Sequence, residues 1–328
     1  MNKIKYGSFI LIMMLLLTAC NGEGTEEDSS EAEESLEQAE GLKEDQDPEE
    51  GKEDTQKDEG ELNQEESDPK EENNEEVAEE REDDGEEDAA VPSVEEIQNR
   101  YEDLDPEEWG ERVRGVKTGI KTEERIAALT FDACGGPNGR GYDEELISYL
   151  IEMDIPATLF ISADWLQAHP DKVVSLWENP NFDIANHGED HKPLSVSGRS
   201  AYGISGTASV EEVYHEVHQN HLRIKELTGY APKFFRSGTA YYDEVAVKII
   251  EDLGEVPVNY NVLGDAGATF SSEQIYNRMI QAEPGSIMLF HMNHPDSEVA
   301  EGVKVGVQAL LEEGFEFVLL KDYIEELQ

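Results

Sequence analysis

Short apolar runs alternate with amphipathic stretches through the C-terminal two-thirds of the chain. Apolar runs bounded by turn residues are typical of buried strands, and apolar residues spaced three and four apart are typical of helices. The predicted strands are 126–131, 157–161, 182–185, 233–235, 256–262, 286–290 and 315–319. The predicted helices are 144–153, 171–178, 209–227, 243–252, 272–281 and 300–312. Because buried strands that alternate with helices form a parallel sheet with helices outside, we predict an α/β fold, and roughly seven such units favour an incomplete β/α barrel.

The chain begins with the layout of a secretory signal. Lys3 and Lys5 precede an apolar run at 9–17, which is too short and wrongly flanked for a stable membrane span. The run ends in Leu-Thr-Ala-Cys, which resembles a lipobox, so we predict a lipoprotein signal peptide at 1–20 with lipidated Cys20 as the mature N-terminus. An ordinary signal peptide cleaved near Ala19 and an uncleaved anchor are the alternatives. The lipoprotein interpretation localises the protein to the cell membrane, lipid-anchored and facing the extracellular side.

The following segment, 21–95, is predicted to be a disordered acidic linker. Residues 21–90 hold 34 acidic and five basic side chains and no aromatic residue. Such a segment cannot bury enough apolar surface to offset the entropy lost on ordering, and its like charges extend it. We therefore expect a tether that holds a folded domain, 96–328, away from the membrane.

The predicted domain is itself acidic. Residues 91–328 hold 43 acidic and 18 basic side chains. Phosphate neutralisation requires Lys and Arg, so this charge excludes nucleic acid as an expected partner. Cys134 is the one cysteine besides Cys20, so no intrachain disulfide is available to the exported chain. No surplus amphipathic segment indicates an oligomer, so we expect a monomer.

Ionisable side chains follow five of the predicted strands. Catalytic groups of β/α barrels lie just after the C-terminal ends of the strands. In chain order the residues at these strand ends are Asp132, His187 with His191, Arg236, Asp265 and His291. Five strands that deliver ionisable groups to one rim favour an active site over five separate structural roles.

Two of these residues have a spacing that suits metal ligands. His187 and His191 can converge on one ion if the turn between them is helical or tight. Imidazole nitrogen suits zinc and other divalent first-row ions. Such an ion would polarise an amide carbonyl and lower the pKa of a water molecule. The sequence therefore predicts a metal site, with zinc as the expected ion.

The other four residues are candidates for proton transfer. Asp132 is the candidate base that acts on the water, and His291 is the candidate acid that protonates the leaving amine. Arg236 can hold Asp132 ionised and oriented, and Asp265 can do the same for His291.

Two further groups have both a functional and a structural interpretation. The first is three histidines on the predicted helix 209–227, where a metal cluster is possible and a solvated helix face is favoured: His215, His218 and His221. The second is three aromatic residues that either line a sugar-binding cleft or pack in the core or rim: Tyr241, Tyr242 and Trp165.

Taken in order, the strand-end motifs resemble those of the polysaccharide deacetylase superfamily (carbohydrate esterase family 4, the NodB-homology domain). The resemblance covers about 125–320 and is carried by Thr130-Phe131-Asp132, Asn186-His187-x-x-x-His191, Phe235-Arg236 and Leu289-Phe290-His291. It implies a deformed, incomplete (β/α)7-type barrel, here preceded by the disordered acidic tether. It also implies metal-dependent removal of N- or O-acetyl groups from polysaccharides such as peptidoglycan, chitin or xylan, so an acetylated polysaccharide is the implied partner.

The resemblance also implies roles for individual residues. By it, Asp132 corresponds to the catalytic base and His291 to the general acid. His187 and His191 correspond to two metal ligands, and Arg236 corresponds to the arginine that orients the base.

The chain departs from the family's pattern at the metal site. The family usually has a second aspartate, a metal ligand, where this chain has Ala133, and a Ser or Thr where this chain has Gly188. Three sources of a third ligand are open: Asp132 itself, which the sequence favours, the Cys134 thiolate, or His294 or Asp143 from a neighbouring loop.

Three functional hypotheses follow. The first is a metal-dependent hydrolase that removes acetyl groups from a cell-envelope or extracellular polysaccharide. The second is a metal-independent hydrolase of cyclic amides, which Ala133 suggests and the export signal opposes. The third is a non-catalytic glycan-binding lipoprotein that kept the cleft and lost the chemistry. The five strand-end groups favour the first hypothesis.

Overall fold

The computed structural model describes residues 91–328, so the predicted signal peptide with its lipidated cysteine and nearly all of the acidic linker lie outside the described residues. The first described element is helix α1 (Val94–Tyr101), which begins with a capping box between Ser93 and Glu96. Ile97 on this helix is fully buried against the rest of the domain. The predicted boundary between linker and domain, at 95 and 96, therefore falls inside α1.

A parallel sheet of eight strands, seven of them in one continuous order, forms a curled half-barrel at the centre of the domain. Those seven are β1 (Ile126–Ala133), β2 (Ala157–Ile161), β3 (Phe182–Asn186), β6 (Phe234–Phe235), β7 (Val256–Pro257), β8 (Val262–Leu263) and β9 (Ser286–His291). Their order is β7-β6-β3-β2-β1-β9-β8. The short strand β10 (Glu316–Phe317) also pairs with β1, and β4 (Ser200–Ala201) and β5 (Ile204–Ser205) form a separate hairpin. The prediction of an incomplete β/α barrel is confirmed.

Helices cover the outer face of the sheet, and every residue of β1, β2 and β3 is buried, as expected for a covered parallel sheet. The remaining helices are α2 (Glu144–Glu152), α3 (Ala163–Ala168), α4 (Pro170–Glu178), α5 (Val210–Thr228), α6 (Glu244–Asp252), α7 (Ser272–Met279) and α8 (Val299–Glu312). The helix predicted at 171–178 is preceded by α3, which the sequence interpretation missed. Across the described part of the chain, no helix is long and apolar enough to cross a bilayer.

The prediction of one strand over 256–262 is wrong, because the chain changes edges of the sheet within that range. β7 pairs with β6 at one edge, and β8 pairs with β9 at the other. Pro257 ends β7, since proline donates no ladder hydrogen bond.

The segment 117–120 spans the gap between these two edges. The Lys117 N–H donates to the carbonyl of Pro257 over 2.8 Å, and the Ile120 N–H donates to that of Gly285 over 2.8 Å. The Gln328 N–H donates to the carbonyl of Gly119 over 2.9 Å. The open side of the half-barrel is therefore closed by chain that precedes β1.

The register of the sheet brings the strand-end residues together. Asp132 of β1 lies opposite His291 of β9, and Asn186 of β3 lies opposite Phe235 of β6. Because the C-terminal ends of parallel strands meet at one edge, the residues that follow β3 and β6 lie at the same rim.

Candidate functional site

Asp132 and Arg236 form a buried ion pair at the rim. Arg236 Nη1 donates to Asp132 Oδ1 over 2.7 Å. Arg236 is fully buried, and its Nε and Nη2 donate to the carbonyls of Val258 and Asn259. Burial raises the pKa of Asp132, whereas the Arg236 guanidinium, and after it His187 and His291, lower it. The net result is a pKa below the usual value of an aspartate. Asp132 is therefore ionised near neutral pH and can accept a proton.

His291 lies beside Asp132 in the sheet and is held by Asp265. His291 Nδ1 is 2.9 Å from Asp265 Oδ1, and the backbone N–H of His291 donates to Asp265 Oδ2 over 2.6 Å. Burial lowers the pKa of His291, but the Asp265 carboxylate and then Cys134 raise it well above its usual range. These contacts are the ones expected of a general acid that an aspartate orients.

His187 has the tautomer that a metal ligand requires. Its Nδ1 lies 2.9 Å from the carbonyl oxygen of Arg236, which can only accept, so Nδ1 carries the hydrogen and Nε2 the lone pair. Nε2 is 3.6 Å from Asp132 Oδ2 and 3.7 Å from Cys134 Sγ. Burial is the largest influence on the pKa of His187 and lowers it, which keeps the ring neutral.

Cys134 and His191 complete a group of three possible metal ligands. The ligand atoms of Cys134, His187 and His191 all lie within 4.8 Å of one another. His191 Nε2 is buried and has no hydrogen-bond partner among the described residues, so a metal ion would satisfy it. Burial raises the pKa of Cys134, but the interactions of its thiolate with His191 and then His291 lower it to about 7. Two imidazoles and a thiolate suit zinc, for which donor atoms approach to roughly 3.5 Å of one another. The three residues therefore fit such an ion after a small movement of their side chains.

The alternation of side chains along β1 explains why Cys134, and not residue 133, belongs to this group. Successive side chains of a strand point to opposite faces, so 132 and 134 share a face. Ala133 is fully buried in the apolar layer with Leu129 and Phe131. Ala133 itself therefore offers no ligand atom to this group.

The other sources of a third ligand lie apart from this group. Asp143 caps α2 by accepting from the Leu146 N–H, and the group of three includes neither Asp143 nor His294. The assignment of Asp132 as third ligand stays a prediction, since one of its oxygens is held by Arg236 and the other lies 3.6 Å from His187 Nε2.

A buried carboxylate shapes the loop between the two histidines. Glu216 of α5 accepts from the backbone N–H groups of Asp190 and Lys192 at 3.0 to 3.1 Å. A Cβ atom at Gly188 would lie 2.4 Å from Glu216 Oε1. Glu216 therefore occupies the space beside the position where the family has Ser or Thr. The sequence interpretation missed this residue, although an acid between two buried valines of α5 was a signal.

A second buried network lies behind His187. Asn186 Nδ2 donates to Glu255 Oε1 over 3.0 Å, and His221 Nδ1 lies 2.8 Å from the same oxygen. Asn220 Nδ2 donates to Asn186 Oδ1 over 2.8 Å, which fixes the end of β3. The predicted solvated histidine face of α5 is therefore wrong for His221, because that residue turns inward to Glu255.

Two of the three aromatic residues singled out from the sequence are core residues. Trp165 is fully buried, and its Nε1 donates to the carbonyl of Gly141 over 2.8 Å. Tyr242 is also fully buried, and its hydroxyl accepts from the Ser237 N–H over 2.8 Å. Tyr241 is only partly buried and remains at the surface.

The fold and its rim residues define a deacetylase-like β/α half-barrel. Residues 119–258 match the family model for polysaccharide deacetylase. This match confirms the resemblance carried by the strand-end motifs to the polysaccharide deacetylase superfamily. The chain is 24% identical over 208 residues to an uncharacterised 30.6 kDa protein from the fumA 3′ region of Geobacillus stearothermophilus, a match that covers 60% of this chain and 70% of that protein.

Solved structures share the fold at low sequence identity. Wild-type BA3943 of Bacillus anthracis, a family 4 carbohydrate esterase pseudoenzyme, is 18% identical with a TM-score of 0.55, covering 69% of this chain and 71% of that chain. PdaA of Bacillus subtilis, a family 4 carbohydrate esterase, is 21% identical with a TM-score of 0.53, covering 71% of this chain and 89% of that chain. The fold is therefore shared by a carbohydrate esterase and by a pseudoenzyme.

Proposed function

We propose that the protein is a metal-dependent hydrolase that removes acetyl groups from a cell-envelope or extracellular polysaccharide. The observation that carries the proposal is the convergence at one rim of an ionised, buried carboxylate, an aspartate-held histidine and three possible metal ligands. The family match supports the same reaction class.

Three residues would hold the metal, for which zinc is the best match. Cys134, His187 and His191 present one sulfur and two nitrogen atoms, the donor types that zinc prefers. When bound, the ion supplies polarisation of the acetyl carbonyl and a lowered pKa of a water molecule.

The protein's own acid and base move the protons. Asp132 accepts the proton of the attacking water, and Arg236 keeps its carboxylate ionised and oriented. His291 donates its proton to the leaving nitrogen or oxygen as the bond to the acetyl carbon breaks. Asp265 holds the imidazole in position and stabilises its charged form.

The test is acetate release from acetylated chitin, peptidoglycan and xylan fragments by the purified protein. We expect release that requires zinc and stops when a strong chelator removes it. Folded, zinc-loaded protein that releases no acetate from any of these fragments would contradict the proposal.

Ala133 favours a second candidate, a glycan-binding protein without turnover. It replaces an aspartate that serves as a metal ligand in the family. The structural similarity to a pseudoenzyme supports the same alternative. Binding of the acetylated fragments by zinc-loaded protein, with no acetate released, is the result that this candidate requires.

The proposal also includes the lipid anchor and an extracellular location. The lipobox at Cys20 supports it. We expect fatty-acid label to be incorporated into the protein during growth and to be lost in the Cys20→Ser variant. Labelling that persists in the variant would contradict the anchor.

The role of Cys134 gives a prediction specific to this chain. We expect Cys134→Ser to lower zinc affinity by at least about 10–100-fold, the loss known for supporting residues of metal sites. We also expect it to abolish the near-ultraviolet thiolate-to-cobalt absorption of the cobalt-substituted protein. Zinc affinity is measured by competition with a chelator.

Two further variants complete this experiment. Cys20→Ser is the matched control and should keep the absorption band. Ala133→Asp restores the family's residue type but should not rescue Cys134→Ser, because residue 133 faces the apolar layer. Rescue of zinc binding by Ala133→Asp would show that the face assignment is wrong.

A further inference from the structure

Three aromatic side chains form a cluster beside the rim, here called the aromatic platform: Trp109, Tyr202 and Tyr241. The ring centroids of Trp109 and Tyr241 are 5.7 Å apart, and those of Tyr202 and Tyr241 are 5.4 Å apart. All three residues are only partly buried. They come from the segment before β1, the β4–β5 hairpin and the loop after β6. The proposed chemistry uses none of them.

Backbone pairing holds two members of the platform side by side. The Gly110 N–H donates to the Tyr242 carbonyl over 3.1 Å, and the Tyr242 N–H donates to the Gly110 carbonyl over 3.0 Å. This antiparallel bridge brings the neighbouring residues Trp109 and Tyr241 together. Backbone hydrogen bonds therefore fix the relative position of Trp109 and Tyr241.

Hydrogen bonds connect the platform to the arginine of the site. Asn259 Nδ2 donates to the carbonyls of Glu111 and Ala240, at 2.6 and 2.8 Å. The Asn259 carbonyl accepts from Arg236 Nη2 over 3.2 Å, and Arg236 in turn holds Asp132. One residue thus joins the base-holding arginine to the neighbours of both Trp109 and Tyr241. Buried hydrogen bonds therefore connect the platform to the arginine that holds Asp132.

Tyr202 occupies a backbone position that tyrosine disfavours. It and Gly203 form the two-residue turn of the β4–β5 hairpin, with φ angles of 51° and 76°. Positive φ at both turn residues strongly favours Asn and Gly. The Tyr202 ring packs edge to face on Tyr241, and its hydroxyl donates to Glu111 Oε1 over 3.1 Å. Strain of this kind accumulates at functional sites, and here it keeps an aromatic ring in the platform.

The chemistry of the platform fits a sugar ring. A pyranose with equatorial substituents presents apolar C–H faces that stack on aromatic rings, while its hydroxyls need polar partners at the edge. The Arg199 guanidinium lies over the Trp109 ring, 5.9 Å from its centroid, and the Glu111 carboxylate accepts from the Tyr202 hydroxyl. The excess of acidic residues in the domain disfavours an anionic polymer.

We propose that the aromatic platform binds a β-linked, all-equatorial pyranose unit of the polysaccharide, adjacent to the unit that carries the reacting acetyl group. The position of the unit relative to the acetyl group rests on the proposed function, whereas the stacking does not. The protein therefore recognises a chain of sugars and not a single acetylated unit.

The test measures binding of N-acetylchitohexaose to the full chain by calorimetry. We expect Trp109→Ala and Tyr202→Asn each to weaken binding about tenfold, the size of one well-placed aromatic contact. Trp177→Ala is the matched control, since Trp177 is also partly buried and stacks on Tyr230 with ring centroids 4.4 Å apart, away from the platform. It should leave the affinity unchanged.

Tyr202→Asn separates a binding role from a structural one. Asparagine suits the turn, so we expect the variant to unfold at the same or a higher urea concentration than wild type while its affinity falls. Wild-type affinity in both folded platform variants would overturn the inference, as would wild-type protein that does not bind the hexaose.

Failure of the proposed function has a different signature. Weakened binding in the platform variants together with no acetate release would support the platform and contradict the hydrolase. Acetate release together with equal affinity in all variants would support the hydrolase and contradict the platform.

Discussion

His187→Ala is expected to lose both bound zinc and acetate release. The variant removes a buried ligand whose Nε2 lone pair is fixed by the contact between Nδ1 and the Arg236 carbonyl. Loss of a mere supporting residue lowers metal affinity by about 10–100-fold, so loss of the ligand itself should lower it by at least that factor. Acetate release should then fall to the background rate. Chelator competition and an acetate assay on the same preparation measure the two effects.

His215→Ala is the matched control for this variant. It removes an imidazole from α5 that is partly exposed and lies outside the group of three possible ligands. It should keep wild-type zinc affinity and turnover. Zinc bound by His187→Ala with wild-type affinity would refute the metal site. Acetate release by zinc-free His187→Ala would instead favour a metal-independent hydrolase.

Asp132→Asn is expected to lower kcat by about 10²–10⁴-fold, the usual contribution of a general base, while zinc stays bound. Asparagine keeps an oxygen that can accept from Arg236 Nη1, so the guanidinium is not left without its partner. It cannot accept a proton from water. The measurement is kcat on the best acetylated fragment, with zinc content determined in parallel.

The outcome for Asp132→Asn also decides between two roles. Asp171→Asn, an exposed substitution on α4, controls for the general effect of the exchange. Loss of zinc from folded Asp132→Asn would make Asp132 a metal ligand, the assignment that the sequence favours, and would leave the base to be found elsewhere. Unchanged kcat would exclude Asp132 as the base.

The positions of the rim residues could be read from the sequence because they obey one local rule. Each follows a short apolar run, and parallel strands bring their C-terminal ends to one edge. The pairing of Asp132 with Arg236, 104 positions away, follows from the order of β1 and β6 in the curled sheet. The strand-end residues themselves suggested that pair, the family resemblance implied the same roles, and the structure gives the geometry.

Other features had weaker or no local signals. Cys134 shares the face of Asp132 through the alternation of β1, which the sequence could have indicated once the strand was known to extend to Ala133. Glu216 and Glu255 form their contacts with residues more than 20 positions away, and no local pattern says which buried acid has which partner. The sequence did not indicate that β7 and β8 lie at opposite edges of the sheet, because both strands come from one apolar run.

The segment 117–120, which spans the open side of the half-barrel, limits where the chain can be cut and joined to that of a relative. The family match begins at residue 119 and ends at 258, so it includes only part of this span. If residues 119–258 were exchanged between relatives, Pro257 and Tyr241 would be replaced while their partners Lys117 and Trp109 stayed. Chimaeras between relatives should therefore be joined before Ser93, which caps the N-terminus of α1, and not at the boundaries of the family match.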